Sequence, residues 1–254
     1  MASFQPKFGH AAEQFLRYRP DYPLELYGRI LVRVPEQCRE RAMDLGAGTG
    51  MVTGRLLPCF REVIAVEPDA QMAAKIAELF PRAVIRIIPA EQCSQAQESV
   101  DLITIANALH WMDAEHVFAN AVRWLQRTGV LAVFDRPLPK AGARVDAVTK
   151  EEFRGPWMGY RDPLLNRSVT YREQVRAVRG LGVIEESSVP HFISMSPRDY
   201  AGFWSSTSYG SAYARSLADP ETYWRNLESR FRAAAGGDKI HVDFSHSLIL
   251  AQRI

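Results

Sequence analysis

Five short apolar runs recur between residues 41 and 134, and this recurrence constrains the fold more than anything else in the chain. They are residues 41–45, Val63–Val66, Val84–Ile88, Val100–Ala106 and Val130–Phe134. Segments with helical spacing separate them. Residues 50–57 read as one helix, Met72, Ala73, Ile76, Ala77 and Phe80 mark a second, and Val117, Phe118, Ala121, Val122 and Leu125 a third. Asp69 and Asp113 stand where N-caps of the second and third helices belong. Strand–helix alternation of this kind predicts a parallel sheet with right-handed crossovers. Ligands bind such sheets beyond the carboxyl ends of the strands, near the point where strand order reverses. The polar, glycine and proline signals collect at those ends: Gly46 to Gly50, Glu67-Pro68, Ala90-Glu91 and Asn107.

The first of these ends is the most specific. Residues 42–50 read Ala-Met-Asp-Leu-Gly-Ala-Gly-Thr-Gly. A dinucleotide turn is G-x-G-x-x-G, but here the third slot holds Met51 and the glycines fall as G-x-G-x-G. Glycines after a buried strand permit positive φ and a close approach of ligand to backbone. The helix that follows directs its free N–H groups and positive dipole end at an anionic group.

Outside the alternation the pattern changes. Residues 10–19 have a helical face of Ala11, Ala12, Phe15 and Leu16, broken by Pro20 and Pro23, and Leu24–Val34 reads as a second helix. Residues 136–182 read as an irregular helical insertion and residues 197–236 as helix closed by Gly236-Gly237. Val183–Met195 reads as a long strand with Pro190 at a bulge or exposed edge. Val242–Ile254 reads as a final strand, with Val242, Phe244, Leu248, Leu250 and Ile254 on one face. The expectation is one α/β domain over 1–254: a Rossmann-like, doubly wound, seven-stranded mixed sheet, last strand antiparallel, with a helical cap over its carboxyl edge. N-terminal lid helices take 1–34, the ligand-binding core 35–135, the cap 136–182 and 196–238, and the final strands 183–195 and 239–254.

Composition narrows the function classes. A net charge of +2 with no basic block argues against a nucleic-acid surface. Cys38, Cys59 and Cys93 form no CxxC and no disulfide or zinc pattern. No metal site is expected. The N-terminal residues carry no apolar signal core and no run reaches the length of a membrane span, so a cytoplasmic protein, monomer or homodimer, is expected.

Taken together, Tyr18-Arg19-Pro20-Asp21-Tyr22-Pro23, the turn at 42–50, Val66-Glu67-Pro68-Asp69, Ala90-Glu91 and Asn107-Ala108-Leu109-His110-Trp111 resemble the class I S-adenosylmethionine (SAM) methyltransferases. Within them the chain looks like the small-molecule branch with trans-aconitate-type and related carboxyl methyltransferases. The resemblance implies SAM as cofactor and S-adenosylhomocysteine (SAH) as product. Gly46, Ala47 and Gly48 would form the cofactor turn, organised by Asp44. Glu67 would accept from the ribose hydroxyls, standing near the spacing of a ribose acid. Pro68, Ala90 and Glu91 would read the adenine, by side chain or backbone. Asn107 would sit at the methionine moiety, and Arg19 would either pair with the SAM carboxylate or anchor the N-terminal helix.

The acceptor side is less determined. His110 is a general-base candidate by its ordinary pKa, or else a packing residue that positions the cofactor. Trp111 walls a pocket or packs in the core. Trp157, Tyr160, Trp204 and Tyr209 in the cap are substrate candidates, or else hold the cap on the sheet, and Arg154, Arg161 or Arg198 are candidates for a substrate carboxylate. The chemistry implied is methyl transfer to oxygen of a small molecule. Its rivals are a SAM-binding protein diverted to another reaction, a non-catalytic partner, and a macromolecule methyltransferase.

Overall fold

A computed structural model describes residues 12–166 and 169–254. The helix read at 10–19 is α1 (Ala12–Tyr18), with residues 10 and 11 outside the described range, as are the other N-terminal residues of the lid and two of the cap. Helix α2 (Leu24–Leu31) follows. Strands β1 (Arg41–Leu45), β2 (Glu62–Val66), β3 (Val84–Arg86), β4 (Val100–Ala106) and β5 (Leu125–Asp135) pair in parallel, alternating with α3 (Met51–Leu56), α4 (Ala70–Leu79) and α5 (Ala114–Trp124). Asp69 caps α4, accepting from Gln71 and Met72 N–H, and Asp113 caps α5 through His116 N–H.

Two strands from the C-terminal half complete the sheet. They are β6 (Leu181–Val189) and β9 (His246–Arg253), giving the order β3-β2-β1-β4-β5-β9-β6. β9 alone is reversed relative to the other six strands, pairing antiparallel with β5 and β6, so the seven-stranded mixed sheet is as expected. The reversal of strand order lies between β1 and β4.

Strand boundaries differ from the sequence reading in four places. The two long C-terminal strands are each broken. Beyond Pro190 the chain leaves the sheet and forms β7 (Phe192–Met195), which pairs with β8 (Ile240–Asp243) in a separate two-stranded sheet. Proline has no N–H to continue a ladder, and Asp243 closes a tight turn by accepting from Ser245 N–H at 2.8 Å. The period-two face read over 242–254 therefore spans two cores. Val242 and Phe244 pack in the cap, Leu248 and Leu250 in the sheet, and Ile254 is 84 % exposed. The third strand stops at Arg86, leaving Ile87 exposed. The fifth begins at Leu125, directly after α5, with a register shift before Val130.

The sheet buries one face against α5 and the helix α7 (Tyr171–Arg176), and the other against α2 and α3. A third core forms the cap from α6 (Ala143–Arg154), α8 (Pro197–Ser205), α9 (Ser208–Arg215) and α10 (Pro220–Ala235). It is aromatic: Trp157, Tyr200, Phe203, Trp204, Tyr209 and Phe231 are all buried there. α1 docks on α8 because Gly202 gives it room. A Cβ at Gly202 would stand 2.4 Å from the Tyr18 ring. Gly202→Val is expected to displace α1 and to speed tryptic cleavage after Arg17 several-fold. Mass spectrometry of the digest checks this; unchanged cleavage would contradict the docking.

No described helix is long and apolar enough to cross a membrane.

Candidate active site at the carboxyl edge of the sheet

The turn from β1 to α3 carries three glycines in the left-handed region, Gly46, Gly48 and Gly50, with φ of 72, 59 and 86°. Gly46 is required by contact as well as by φ. A Cβ there would lie 2.5 Å from Ala108 Cβ, so the ends of β1 and β4 approach more closely than any side chain allows. At Gly48 an added Cβ would meet nothing within 4 Å, and the residue lines a cavity of about 1330 Å³.

Glu67 ends β2 beside this turn and is buried. Gly48 N–H donates to its Oε2 at 2.8 Å and Asp69 N–H to its Oε1 at 2.9 Å. Each oxygen keeps a further lone pair. Desolvation pushes the carboxyl up to about 7, against the pull of these two amides. Asp44 accepts from Thr53 Oγ1 at 2.7 Å and Thr104 Oγ1 at 3.0 Å, tying β1 to α3 and β4. Burial holds it at about 6.

Asn107 ends β4 at φ 50°, a left-handed position that asparagine tolerates. Its Nδ2 donates to Tyr22 OH at 2.7 Å and its Oδ1 accepts from Arg136 N–H at 2.6 Å. One side chain thus locks the ends of β4 and β5 to the N-terminal segment. His110 and Trp111 follow in a short 3-10 turn. Tyr171 of α7 holds His110 twice: its hydroxyl accepts from the His110 backbone N–H at 3.1 Å and lies 2.6 Å from Nδ1.

The cavity brings together Arg19, Asp44, Gly46, Ala47, Gly48, Glu67, Pro68, Ala90, Glu91, Asn107, His110 and Trp111, with Trp204 and Tyr209 from the cap. Trp157 and Tyr160 do not line it. Trp157 is fully buried, its ring 5.3 Å from both Phe153 and Trp204, so it packs the cap. Tyr160 is 40 % exposed and donates to Ser216 Oγ at 2.9 Å. Of the arginines considered for a substrate carboxylate, Arg161 lines the cavity, whereas Arg154 and Arg198 are exposed away from it.

Among the lining residues that had no site role in the sequence reading are Tyr22, Asp135, Arg136 and Tyr171. Asp135 and Arg136 stand at the carboxyl end of β5, the position that gave Glu67 and Asn107 their significance, and the same logic extended one strand further finds them. Burial pushes Asp135 up to about 6. Arg19 donates from Nε to Ser206 Oγ at 2.8 Å and from Nη2 to Ser206 O at 3.1 Å, with Phe15 and Phe203 rings against its guanidinium. Desolvation, aided by the Arg136 charge, lowers it to about 10.

A family model for a methyltransferase domain matches residues 43–133. A Dictyostelium discoideum protein named as a methyltransferase is 31 % identical over 98 % of this chain and 96 % of its own length. The chain belongs to the class I SAM-dependent methyltransferases. A Saccharomyces cerevisiae protein named as an S-adenosylmethionine-dependent methyltransferase is 35 % identical over 45 % of this chain and 41 % of its own. A structure of a type II methyltransferase from Anaeromyxobacter dehalogenans shares the fold, with a TM-score of 0.73 at 24 % identity, over 92 % of this chain and 97 % of that one.

The matched segment of this methyltransferase holds the glycine turn, Glu67, Ala90 and Asn107, and leaves out Arg19, Arg136 and the cap. The residues present fit SAM, the family's cofactor. The open space at Gly48 admits a ligand against the backbone, the Glu67 carboxylate has acceptor capacity for two hydroxyls, and Arg19 offers a cation for a carboxylate.

Proposed function

We propose that this methyltransferase methylates an oxygen of a small molecule held between the carboxyl edge of the sheet and the cap. The observation that carries this reading is that the cap and the N-terminal segment line the cavity together with the sheet edge. Phe15 and Arg19, Arg161 and Leu165, and Trp204, Thr207 and Tyr209 of the cap all line it with the glycine turn. Such a roof leaves room for SAM and a small acceptor and obstructs a macromolecular one.

In this reading Glu67 accepts from the ribose hydroxyls. Pro68, Ala90 and Glu91 border the adenine, Asp44 and Asn107 hold the turn at the methionine end, and Arg19 pairs with the SAM carboxylate. Bound SAM supplies an activated sulfonium methyl: the acceptor oxygen forms the new C–O bond as the C–S bond breaks and its electron pair stays on the sulfur of SAH. The chain's own contribution is alignment and exclusion of water. A carboxylate acceptor needs no base. For a hydroxyl, His110 is the candidate to take the proton, with Tyr171 holding its ring, while Trp111, Trp204 and Tyr209 wall the acceptor. Incubation with SAM and pooled small acids and phenols is expected to release SAH with at least one pool; SAM binding without turnover on any pool would favour a diverted reaction.

The titration of Glu67 gives this reading a pH signature. Ribose hydroxyls donate best to the ionised carboxylate, so binding draws its pKa down from about 7. SAM binding is therefore expected to release protons near pH ~7 and to tighten as pH rises through that value. Calorimetry in two buffers of different ionisation enthalpy measures the release, and Glu67→Gln is expected to reduce it. Proton uptake would contradict the role. Without ligand the sign is opposite. A carboxyl raised from 4.5 to about 7 contributes stability that is fully present below 4.5 and lost as pH rises through 7.

A further inference from the structure

Arg136 is an enclosed charge at the cavity wall with no part in holding the cofactor. Its guanidinium lies between the rings of Tyr22 and Phe244, 5.6 and 5.1 Å from their centroids. Nη2 donates to Pro20 O at 3.0 Å. Nε is buried without a partner, and nothing among the described residues accepts from Nη1. No described carboxylate forms an ion pair with it. Asp135 and Asp21 act on it only at longer range, and Asp21 is already held by Arg55 Nε at 3.0 Å. Arg19 faces the same cavity and repels it.

Several other arginines do meet a carboxylate. Arg29, Arg41, Arg55, Arg176, Arg230 and Arg253 each meet a carboxylate, although most of them stand in or near solvent, where pairing matters least. Among the described residues Arg136 meets none, and neither do Arg19 and Arg161, which line the same cavity; an enclosed charge left unpaired is costly. Its position adds meaning. The Arg136 N–H bond to Asn107 places it at the junction of β4 and β5, at the wall of the cavity. Nη1 and the second Nη2 hydrogen remain to donate, an end-on pair that matches the two oxygens of a carboxylate. The rings of Tyr22 and Phe244 pack against the guanidinium.

We propose that Arg136 binds a carboxylate of the methyl acceptor, so that the substrate is a small organic acid and Arg136 selects it. This rests on the methyltransferase reading above, with Arg19 serving the cofactor and Arg136 the acceptor. A neutral analogue would leave the enclosed guanidinium unpaired and lose affinity on that account.

The test uses the full chain loaded with SAH. Benzoate, phenylacetate and succinate are titrated against benzamide, phenylacetamide and succinamide, by thermal shift and calorimetry. At least one acid is expected to bind about ten-fold or more tightly than its amide. Arg136→Met is expected to abolish that preference and keep SAH affinity within about two-fold, while Arg19→Met weakens SAH. Acids and amides binding alike, no acid binding, a preference that survives Arg136→Met, or a loss of SAH affinity in that variant equal to that of Arg19→Met would each overturn the proposal. The comparison of acid with amide needs only the wild-type chain. Failure of wild-type protein to bind SAH is a different result, and it would overturn the cofactor reading instead.

Discussion

Glu67→Ala is expected to weaken SAM binding by about 10- to 100-fold, the loss of one or two charge-assisted hydrogen bonds. The structure adds a second source of loss. Both Glu67 oxygens already accept from the backbone, one from Gly48 and one from Asp69. The alanine variant orphans the Gly48 N–H inside the turn that faces the cofactor and the Asp69 N–H beside the cap of α4. The loss should therefore lie toward the upper end of the range. Glu67→Gln keeps an acceptor oxygen and should fall between. Removing a buried carboxyl that desolvation has raised to about 7 lifts a cost the unliganded protein bears at and above that pH. Stability near neutrality should therefore change little while affinity collapses. Calorimetry with SAM and SAH checks the affinities, and an unchanged Kd for Glu67→Ala would remove Glu67 from the ribose.

Trp157→Ala is expected to cost about 3–5 kcal/mol of stability, the usual range for deleting a fully buried large aromatic. Its ring meets Phe153, Trp204 and Tyr209, and these neighbours are too large and too interlocked to close over the space. Urea unfolding measures the loss as a fall in midpoint. Because Trp204 and Tyr209 line the cavity from the same cluster, acceptor binding should weaken as well, but SAH affinity should hold as long as the chain is folded. Tyr160→Ala is the control, expected within about 0.5 kcal/mol of wild type. A stable Trp157→Ala protein with altered acceptor choice would return Trp157 to the pocket.

The cofactor half of the fold was legible because strand and helix periods alternate there without interruption. Asp69 and Asp113 cap the helices whose starts they mark, and β1 and β4 have the bounds their apolar runs suggest. The C-terminal strands were harder for a physical reason. Alternation at period two continues across Phe244 and His246 although the chain changes sheet between them, so periodicity cannot report the break. Pro190 did report it on the partner segment, but a bulge and a departure from the sheet give the same signal in sequence. In the cap, Trp157 and Trp204 share a cluster and differ only in that one of them also reaches the cavity, a distinction no spacing encodes. Nothing in the sequence marks Arg136 among the chain's many arginines. What sets it apart from the paired ones is the carboxylate it lacks, and that is visible only once Tyr22, Phe244 and Pro20 have closed around it.

The central claim is that SAM lies along the carboxyl edge with its ribose on Glu67 and its methionine end between Asn107 and Arg19. Crystals grown with SAH test it most directly. The ribose hydroxyls are expected within hydrogen-bond reach of the Glu67 carboxylate, the adenine against Pro68 and Ala90, and the homocysteine carboxylate at Arg19 with Arg136 left free. SAH bound elsewhere, or bound here with its carboxylate on Arg136 and its ribose away from Glu67, would contradict it.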